Sequence, residues 1–323
     1  MAVKQMNDQD TKQQGGNEPD MNEDKPDTRC GFIALIGAPN AGKSTLMNRM
    51  VGGKISIVTH KVQTTRSQIR GIAIHDKSQL IFVDTPGIFL PKKRLERAMV
   101  SSAWKGAGDA EIVVVLHDAC RKKIGEDTRA IIAGLQKQER QVILALNKID
   151  SINPEKLLAL AQEFMSMGVF SEIFMISAQA GDGVNDLMDR LADLVPEGVW
   201  LYPEDQLSDH PMRSIAAEVT REKLFLNLHD ELPYNLTVET DSWEDFKDGS
   251  VKISQTIYVQ RDIHKAMCLG KGGRTIKLIR SKSQKDLEES LERKVHLFLY
   301  VKVREKWADD PARYREMGLD FNS

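Results

Sequence analysis

The chain has 323 residues, which is enough for two ordinary domains with cores of their own. Its hydrophobic fraction of 41% and charged fraction of 28% are those of a soluble globular protein, and no apolar stretch is long enough to span a bilayer. The net charge of -2 argues mildly against nucleic acid as the main partner. The three cysteines, Cys30, Cys120 and Cys268, are scattered, which suits a reducing cytoplasm and argues against a zinc site or a disulfide framework.

The first 28 residues are polar and acid-rich, and they lack the apolar segment of a signal peptide. Because almost nothing in them could be buried, we predict a disordered N-terminal extension over residues 1–28. A first domain is predicted over 29–196, a linker over 197–211 and a second domain over 212–323.

Between residues 31 and 194, short apolar runs alternate with amphipathic stretches such as 127–135 and 155–165. The runs that we interpret as strands are 32–36, 69–74, 80–83, 112–116, 142–146 and 173–176. Apolar strands separated by helices predict an α/β domain whose sheet is mostly parallel and covered on both faces. Ligands of such sheets bind at the carboxyl ends of the strands, where four motifs fall.

The first motif follows the strand 32–36 and fits the phosphate-loop pattern of nucleotide-binding enzymes. Its glycines would let backbone amides surround the phosphates. Lys43 would reach the terminal phosphates, and the Ser44 hydroxyl would bind Mg²⁺. The residues of this predicted loop are Gly37, Ala38, Pro39, Asn40, Ala41, Gly42, Lys43, Ser44 and Thr45.

The polar segment 61–66 lies between the phosphate loop and the second motif. One of its two threonines is expected to complete the Mg²⁺ shell in the GTP state. We favour Thr65, with Thr64 as the alternative, and a plain polar loop is the other interpretation.

The second motif closes the strand 80–83 and consists of Asp84, Thr85, Pro86 and Gly87. Asp84 takes the position of the carboxylate that steadies Mg²⁺ in phosphate-loop enzymes. The Gly87 amide can donate a hydrogen bond to the third phosphate, which would make the following segment a switch.

Many GTPases place a glutamine after this motif to orient the attacking water, but this chain has Ile88, and no in-built arginine is evident. Asn40 suggests a substitute, because in GTPases with this type of loop the asparagine helps to hold a potassium ion beside the phosphates. The alternative is that Asn40 merely fits the turn. We predict slow, potassium-stimulated GTP hydrolysis. The predicted catalytic residues are Lys43, Asn40, Thr65 and Asp84.

The last two motifs follow the strands 142–146 and 173–176. They are Asn147, Lys148, Ile149 and Asp150, and then Ser177 and Ala178. A carboxylate at Asp150 can accept hydrogen bonds from the ring N–H and the exocyclic amine of guanine, and adenine cannot donate both. The Ala178 amide would meet the guanine carbonyl oxygen. Such a string alone could be a polar turn, but after the other motifs it predicts GTP rather than ATP.

Beyond the linker the pattern changes. We predict a helix over 212–228, a strand with Tyr234, Leu236 and Val238 on one face, a strand over 251–259, helices from Ile263 and from near Thr275, and a strand over 295–303. This order predicts a separate, smaller α+β domain. In the C-terminal stretch we predict that a capping helix starts near Lys306. Trp307 is expected to lie in the core rather than to stack on a base.

A glycine-rich loop lies between the two helices of this domain and fits the G-x-x-G loop of a KH module, which clamps single-stranded nucleic acid. Basic residues surround it from Arg261 to Lys285 and are opposed there only by Asp262. A helix end and a solvated charged face are the alternatives, but the combination favours RNA. The predicted RNA-binding residues are Gly270, Lys271, Gly272, Gly273, Arg274, Lys277 and Arg280.

From about Cys30 onward the chain resembles the bacterial Era family of ribosome-associated GTPases. The matching stretches are Gly37–Ser44, Gln63–Arg66, Asp84–Gly87, Asn147–Asp150, Pro203–Asp205, Arg221–Lys223, Glu231–Tyr234, Gly270–Gly273 and Trp307–Asp310. The resemblance implies a GTPase domain followed by a type II KH domain that binds 16S ribosomal RNA near its 3′ end. It also implies roles in 30S subunit assembly, rRNA maturation and cell growth, and a cytoplasmic location with peripheral association to the inner membrane.

We interpret the chain as a GTP-driven RNA-binding assembly factor that uses GTP, GDP, Mg²⁺ and K⁺, with a monomer as the default state. GTP would order the segments around Thr65 and Asp84 and so bias how the KH-like domain meets RNA. The alternatives are another GTP-regulated RNA-binding factor, a metabolic phosphotransferase and a membrane-remodelling or structural GTPase. The Asn147–Asp150 motif argues against the phosphotransferase, and no lipid-binding helix or coiled coil is visible.

Overall fold

The computed structural model describes residues 27–62, 64–121, 123–136, 141–229, 231–305 and 307–323. Gln63, Lys306 and residues 1–26 of the predicted N-terminal extension lie outside these residues. Among the described helices, none combines the length and the apolarity that a membrane crossing requires.

The first part of the chain alternates strands with helices, as predicted. In chain order the elements are β1 (Arg29–Gly37), α1 (Lys43–Val51), β2 (Ile69–His75), β3 (Ser78–Asp84), α2 (Arg94–Asp109), β4 (Ile112–Asp118), α3 (Glu126–Leu135), β5 (Gln141–Asn147), α4 (Pro154–Met165), β6 (Glu172–Ile176) and α5 (Val184–Leu194). The sheet order is β2-β3-β1-β4-β5-β6. Only the β2–β3 pair is antiparallel among these strands, so the mostly parallel sheet is confirmed.

The strands are continuously apolar because both faces of the sheet are buried. Ile33 and Leu35 of β1 point to one face and pack in a core with residues of α1 and α5. Ala34 and Ile36 point to the other face and pack with residues of α2, α3 and α4. Each strand therefore contributes alternate side chains to two separate cores.

The parallel register brings the four motifs to one edge of the sheet. Leu35 pairs with Asp84, and Asn147 pairs with both Asp118 and Ile176. The ends of β1, β3, β5 and β6 are therefore neighbours, although the residues that follow them are far apart in sequence.

The second part of the chain forms a three-stranded sheet with helices. Its elements are α6 (Met212–Asn227), β7 (Leu236–Asp245), β8 (Val251–Val259), α7 (Asp262–Leu269), α8 (Arg274–Leu291), β9 (Val295–Val303) and α9 (Pro311–Glu316). Strands β7 and β8 are antiparallel, and β8 and β9 are parallel. The predicted helix–strand–strand–helix–helix–strand order is confirmed.

One residue of the predicted first strand lies elsewhere. Tyr234 belongs to a 3-10 turn, Leu232–Asn235, and β7 starts only at Leu236. Pro233 fixes the backbone near the start of this turn, and the Tyr234 ring packs edge-on against Phe225 of α6 at 5.9 Å. The prediction that Tyr234 lies in the strand is therefore wrong.

Trp307 lies in the core, as predicted, with 1% of its surface exposed. Its indole nitrogen donates a hydrogen bond to the Asn235 carbonyl oxygen at 3.2 Å. The helix α9 follows, and the Asp310 side chain caps it by accepting from the Ala312 amide.

Candidate nucleotide and nucleic-acid sites

The phosphate loop joins β1 to α1 at the carboxyl edge of the sheet. Gly42 has a left-handed φ of 102°, and a Cβ there would lie 2.2 Å from the side-chain nitrogen of Asn147. A Cβ on Gly37 would lie 2.5 Å from the Leu116 carbonyl oxygen. Because only glycine fits both places, the loop can bend and present its amides to a phosphate. The predicted strand–loop–helix arrangement is confirmed.

Lys43 is the buried cation of this loop, with 6% of its surface exposed. Its ammonium group donates to the carbonyl oxygens of Gly37 at 3.1 Å and Ala38 at 3.2 Å. Burial lowers the pKa of Lys43 to about 8; the Asp84 carboxylate opposes this shift, and the Arg121 guanidinium adds to it. The side chain lies against the loop, where phosphate oxygens could replace its carbonyl partners.

Three hydroxyl groups converge on the Asp84 carboxylate. Ser44 and Ser56 donate to its Oδ2 atom at 2.7 and 2.8 Å, and Thr65 Oγ1 lies 3.0 Å from Ser44 Oγ. The Oδ1 atom is buried and has no hydrogen-bond partner among the described residues. Burial raises the pKa of Asp84, and Lys43 and the hydroxyls oppose that shift. Mg²⁺ prefers such oxygen ligands, so this group of side chains fits the ion.

The two adjacent threonines have different surroundings. Thr65 is buried beside the Asp84 carboxylate, whereas Thr64 Oγ1 donates to the Lys61 carbonyl oxygen at 2.7 Å and lies 2.6 Å from Thr59 Oγ1. The geometry favours Thr65 as the metal ligand. Ser56 was not identified from the sequence, because no motif marks it.

The segment after β3 packs against the phosphate loop. The Thr85 hydroxyl donates to a carbonyl oxygen of β1 at 2.8 Å, and the Ile88 amide donates to the Gly37 carbonyl oxygen at 3.1 Å. Gly87 faces Pro39, since a Cβ on Gly87 would lie 3.0 Å from the Pro39 nitrogen. The Ile88 side chain is buried in the core beneath the loop, so it cannot orient a water molecule.

Asn40 links the phosphate loop to the segment that follows α1. Its backbone is left-handed, with a φ of 63°, and its side-chain amide donates to the His60 carbonyl oxygen at 2.9 Å. Both residues line the nucleotide cavity described below. A potassium ion here would have to replace the hydrogen bond from the Asn40 amide nitrogen to the His60 carbonyl, because only oxygen atoms would bind it, and its binding stays a prediction.

The base-selecting motifs are tied to the phosphate loop by one side chain. Asn147 donates to the Ala41 carbonyl oxygen at 2.8 Å, and its Oδ1 atom accepts from the Ala178 amide at 2.9 Å. The predicted contact of that amide with guanine would therefore need this hydrogen bond to be shared or released. Lys148 donates to the Asp118 carboxylate at 2.6 Å, which holds its stem at the mouth of the cavity.

Asp150 is exposed at the edge of the site. Its carboxylate accepts from the Ser177 hydroxyl at 2.6 Å and from the Ser151 hydroxyl at 2.7 Å. The Ser177 hydrogen bond, followed by that of Ser151, lowers the pKa of Asp150. The carboxylate is thus kept in the ionised form that can accept from a guanine base.

The phosphate loop, residues between 57 and 65 and residues at the ends of β4 and β5 line one cavity of about 580 Å³, a size suited to a nucleotide. Asp150, Ser177 and Ala178 lie outside its lining. The predicted site residues that line it are Pro39, Asn40, Gly42, Lys43, Ser44, Thr45, Thr65, Gly87 and Lys148. Asp84, Thr85, Pro86 and Ile88 are buried behind the phosphate loop. Asp118 and Arg121 also line the cavity and were not identified from the sequence. The position of Asp118 at a strand end, like that of Asn147, was a usable signal.

The segment 54–66, here called the switch segment, also contacts the second part of the chain. The Arg66 guanidinium donates to the carbonyl oxygens of Leu236 at 2.6 Å and of Pro233 and Tyr234 at 3.2 Å. Arg66 is only 4% exposed and lies over the Trp307 ring. Burial, with nearby Arg221, lowers the pKa of its guanidinium.

Helices α6 and α8 also contact the switch segment. The Lys54 ammonium donates to the Asp286 carboxylate of α8 at 2.9 Å. Glu222 accepts from the Val58 amide at 3.0 Å and from the Lys54 ammonium at 2.7 Å. Arg221 donates to the Thr64 carbonyl oxygen. The nucleotide cavity and the second part of the chain therefore share one wall.

The glycine-rich loop connects α7 to α8. A Cβ on Gly270 would lie 2.1 Å from Thr275 Oγ1, which explains the first glycine of the motif. Gly272 and Gly273 are left-handed, with φ of 63° and 73°, and open space surrounds them. Lys271, like Arg274, Lys277 and Arg280, is exposed. A polyanion can therefore approach this loop and the N-terminus of α8 closely.

Apolar side chains are exposed on the two helices that this loop connects. They are Ile263 and Met267 on α7 and Leu278 on α8. Exposed apolar groups beside a basic loop are suited to contact with unpaired bases. Phe298 and Tyr300 of β9 are also exposed, but they alternate with Leu297 and Leu299 of the core and therefore lie on the opposite face of the sheet.

Two family models match separate parts of the chain. Residues 32–148 match a model described as a 50S ribosome-binding GTPase, and residues 231–308 match a model of the KH domain. The chain is 58% identical over 294 residues to the GTPase Era of Rhizobium meliloti (strain 1021), covering 91% of this chain and 94% of that protein. It is 59% identical over 294 residues to the GTPase Era of Bradyrhizobium diazoefficiens, covering 91% and 95%.

Two solved structures are similar over nearly the whole chain. One is a variant of Aquifex aeolicus Era bound to GDP and tetrafluoroaluminate, with a TM-score of 0.85, 34% identity and coverage of 90% of this chain and 99% of that chain. The other is Era in complex with MgGDPNP and nucleotides 1506–1542 of 16S ribosomal RNA, with the same TM-score of 0.85, 34% identity and the same coverage of 90% and 99%.

Proposed function

Because this chain belongs to the Era family of GTPases, we propose that it uses GTP to control binding to 16S ribosomal RNA near its 3′ end. In this proposal it assists 30S subunit assembly and rRNA maturation and so influences cell growth. One observation carries the proposal: the switch segment contributes to the nucleotide cavity and also contacts the KH domain. The relative solved with MgGDPNP and 16S rRNA binds both classes of ligand that the proposal requires.

The nucleotide part of the proposal rests on the phosphate loop and on the side-chain oxygens of Ser44, Thr65 and Asp84. Ser44, Thr65 and Asp84 would hold Mg²⁺, which when bound neutralises charge on the β- and γ-phosphates. Lys43 would donate to the terminal phosphates, and the Gly87 amide would donate to the third. Asp150 would accept from guanine. All these residues lie at the one sheet edge.

The proposed control of RNA binding by the nucleotide rests on the switch segment. Thr65 lies beside the metal-binding oxygens, and the next residue, Arg66, inserts among three carbonyl oxygens of the KH side. Loss of the third phosphate would release Thr65, and because Arg66 is adjacent its buried contacts would be disturbed. We infer that the GTP state stabilises this interdomain contact and the RNA-binding arrangement that goes with it.

The RNA-binding part of the proposal rests on the exposed loop between α7 and α8. Lys271, Arg274, Lys277 and Arg280 would contact phosphates, with Gly270, Gly272 and Gly273 allowing close approach. The exposed Ile263 and Met267 of α7 and Leu278 of α8 would contact bases.

The test measures anisotropy of a labelled RNA oligonucleotide that represents the 3′ end of 16S rRNA. We expect tighter binding with GDPNP than with GDP. Combining Lys271→Asp with Gly272→Asp should abolish RNA binding and leave GTP affinity intact, whereas Lys247→Asp, on the exposed β7–β8 turn, should change neither. RNA binding that survives the double substitution would refute the proposed RNA site.

Potassium stimulation of hydrolysis is a further part of the proposal. The Asn40 side chain and the His60 carbonyl, 2.9 Å apart at the cavity wall, support it. Equal hydrolysis rates in sodium and potassium buffers would remove it.

The division of the chain at residues 29, 197 and 212 is likewise our proposal, as are a monomeric state and a cytoplasmic location with peripheral contact to the inner membrane. Limited proteolysis, sedimentation and membrane fractionation measure these properties in turn.

A further inference from the structure

An arginine that belongs to none of the motifs lies at the phosphate loop. Arg121 follows β4, and its backbone amide closes a turn by donating to the Asp118 carbonyl oxygen at 3.1 Å. Its guanidinium Nη2 atom donates to the Pro39 carbonyl oxygen at 2.9 Å. The side chain lines the same cavity as Lys43 and Ser44.

The position of Pro39 places this guanidinium at the phosphate end of the cavity. Gly87, whose amide is expected at the third phosphate, packs directly against Pro39. Asp150 and Ser177, which would bind the base, lie beyond Asn147 on the far strands of the sheet.

The guanidinium has unused hydrogen-bonding capacity. It carries five N–H donors, and within the described part of the chain its contact with Pro39 is its one side-chain hydrogen bond. No carboxylate forms an ion pair with it among the same residues. A half-buried guanidinium without a carboxylate partner favours binding of an anion. Its N–H groups are arranged as a planar fork, and two oxygens of a phosphate group match that arrangement.

Besides the potassium ion proposed at Asn40, the nucleotide motifs supply one cationic side chain to the phosphates, that of Lys43. Ile88 is buried and apolar, so the position after the second motif contributes no polar group to the reaction. In phosphoryl transfer, a guanidinium at the transferred group is a major source of transition-state stabilisation.

We propose that Arg121 is a catalytic residue of this GTPase, which contacts the γ-phosphate and acts as an arginine finger within the same chain. In hydrolysis, the oxygen of water forms a bond to the γ-phosphorus while the bond from that phosphorus to the β–γ bridging oxygen breaks. The electron pair of the broken bond leaves on GDP. One proton of the water stays on the released hydrogenphosphate and the other goes to solvent. Arg121 transfers no proton and donates hydrogen bonds to the oxygens on which negative charge develops.

The test compares Arg121→Gln and Arg121→Lys with Lys123→Gln, which removes an exposed positive charge two residues away. We expect Arg121→Gln to lower the single-turnover hydrolysis rate by about 100-fold, the usual effect of losing a transition-state donor. GDP affinity should be unchanged, and binding of GDP with tetrafluoroaluminate should be lost. Arg121→Lys should recover part of the rate, and Lys123→Gln should match the unmodified chain.

Retained GDP binding shows that the variants are folded. An Arg121→Gln rate equal to that of Lys123→Gln would overturn the proposal, as would parallel losses of GDP and GDP–tetrafluoroaluminate binding, which indicate a merely structural contact. Assays in sodium and potassium separate this role from that of Asn40: the loss should persist in both, and full rescue by potassium would overturn a direct role. RNA binding is not required for any of these outcomes.

Discussion

The nucleotide cavity and the RNA-facing loop use the same residue types in opposite surroundings. Lys43 is buried, and a Cβ on Gly42 would collide with Asn147, whereas Lys271 is exposed and Gly272 has open space around it. The cavity holds polar side chains in defined hydrogen bonds, such as those to the Asp84 Oδ2 atom, so a single change there should remove a specific function. At the glycine-rich loop the exposed charges would act together through solvent, so single changes should weaken RNA binding by small, similar steps.

The largest effect should come from Asp150→Asn, which would break the proposed contact with guanine. The amide would donate where guanine also donates, so we expect GTP affinity to fall by about 100-fold while xanthosine triphosphate becomes preferred. Nucleotide competition assays measure this. Asp76→Asn, in the left-handed β2–β3 turn that asparagine accepts well, is the matched control. Unchanged guanine preference in Asp150→Asn would contradict the assigned role.

Substitution of each of the two adjacent threonines tests which one binds Mg²⁺. Thr65→Ala removes a hydroxyl 3.0 Å from Ser44 Oγ, and we expect Mg²⁺ affinity in the GDPNP complex to fall by at least about 10-fold. Thr64→Ala removes hydrogen bonds that face Lys61 and Thr59 and should change it much less. Magnesium titrations of both variants measure these affinities. A greater loss of Mg²⁺ affinity in Thr64→Ala would reverse the assignment.

Arg66→Ala tests whether the two regions communicate through the switch segment. The substitution leaves three carbonyl oxygens without their donor, at a cost of about 1–3 kcal/mol measured by urea unfolding. We expect the ratio of RNA affinities with GDPNP and with GDP to fall several-fold towards one, within the usual range of coupling energies. An unchanged ratio would show that nucleotide control does not pass through Arg66.

The smallest effect should come from Lys277→Ala on the RNA face. Loss of one phosphate contact should weaken RNA binding a few-fold at low salt and reduce the slope of log affinity against log salt by about 0.7. GTP affinity should not change. Lys247→Ala, which removes an exposed lysine far from the loop, should leave the salt slope unaltered.

Much of the fold could be predicted because the relevant signals are local. Apolar runs located all six strands of the first sheet, and the glycine patterns located the phosphate loop and the loop between α7 and α8. The error at Tyr234 has a local cause as well: alternating apolar residues suggested a strand, but Pro233 and the packing of Tyr234 on Phe225 stabilise a 3-10 turn.

The amino-acid sequence alone indicates which short segments can bind a phosphate, a guanine base or a polyanion, because glycine spacing and strand–loop–helix order encode those local geometries. That Arg121 reaches Pro39, 82 positions away, and that Arg66 reaches the carbonyl of Leu236, 170 positions away, follows only from the folded chain. Neither contact has a local signature, since both depend on how the assembled sheet and its packed helices bring distant loops together.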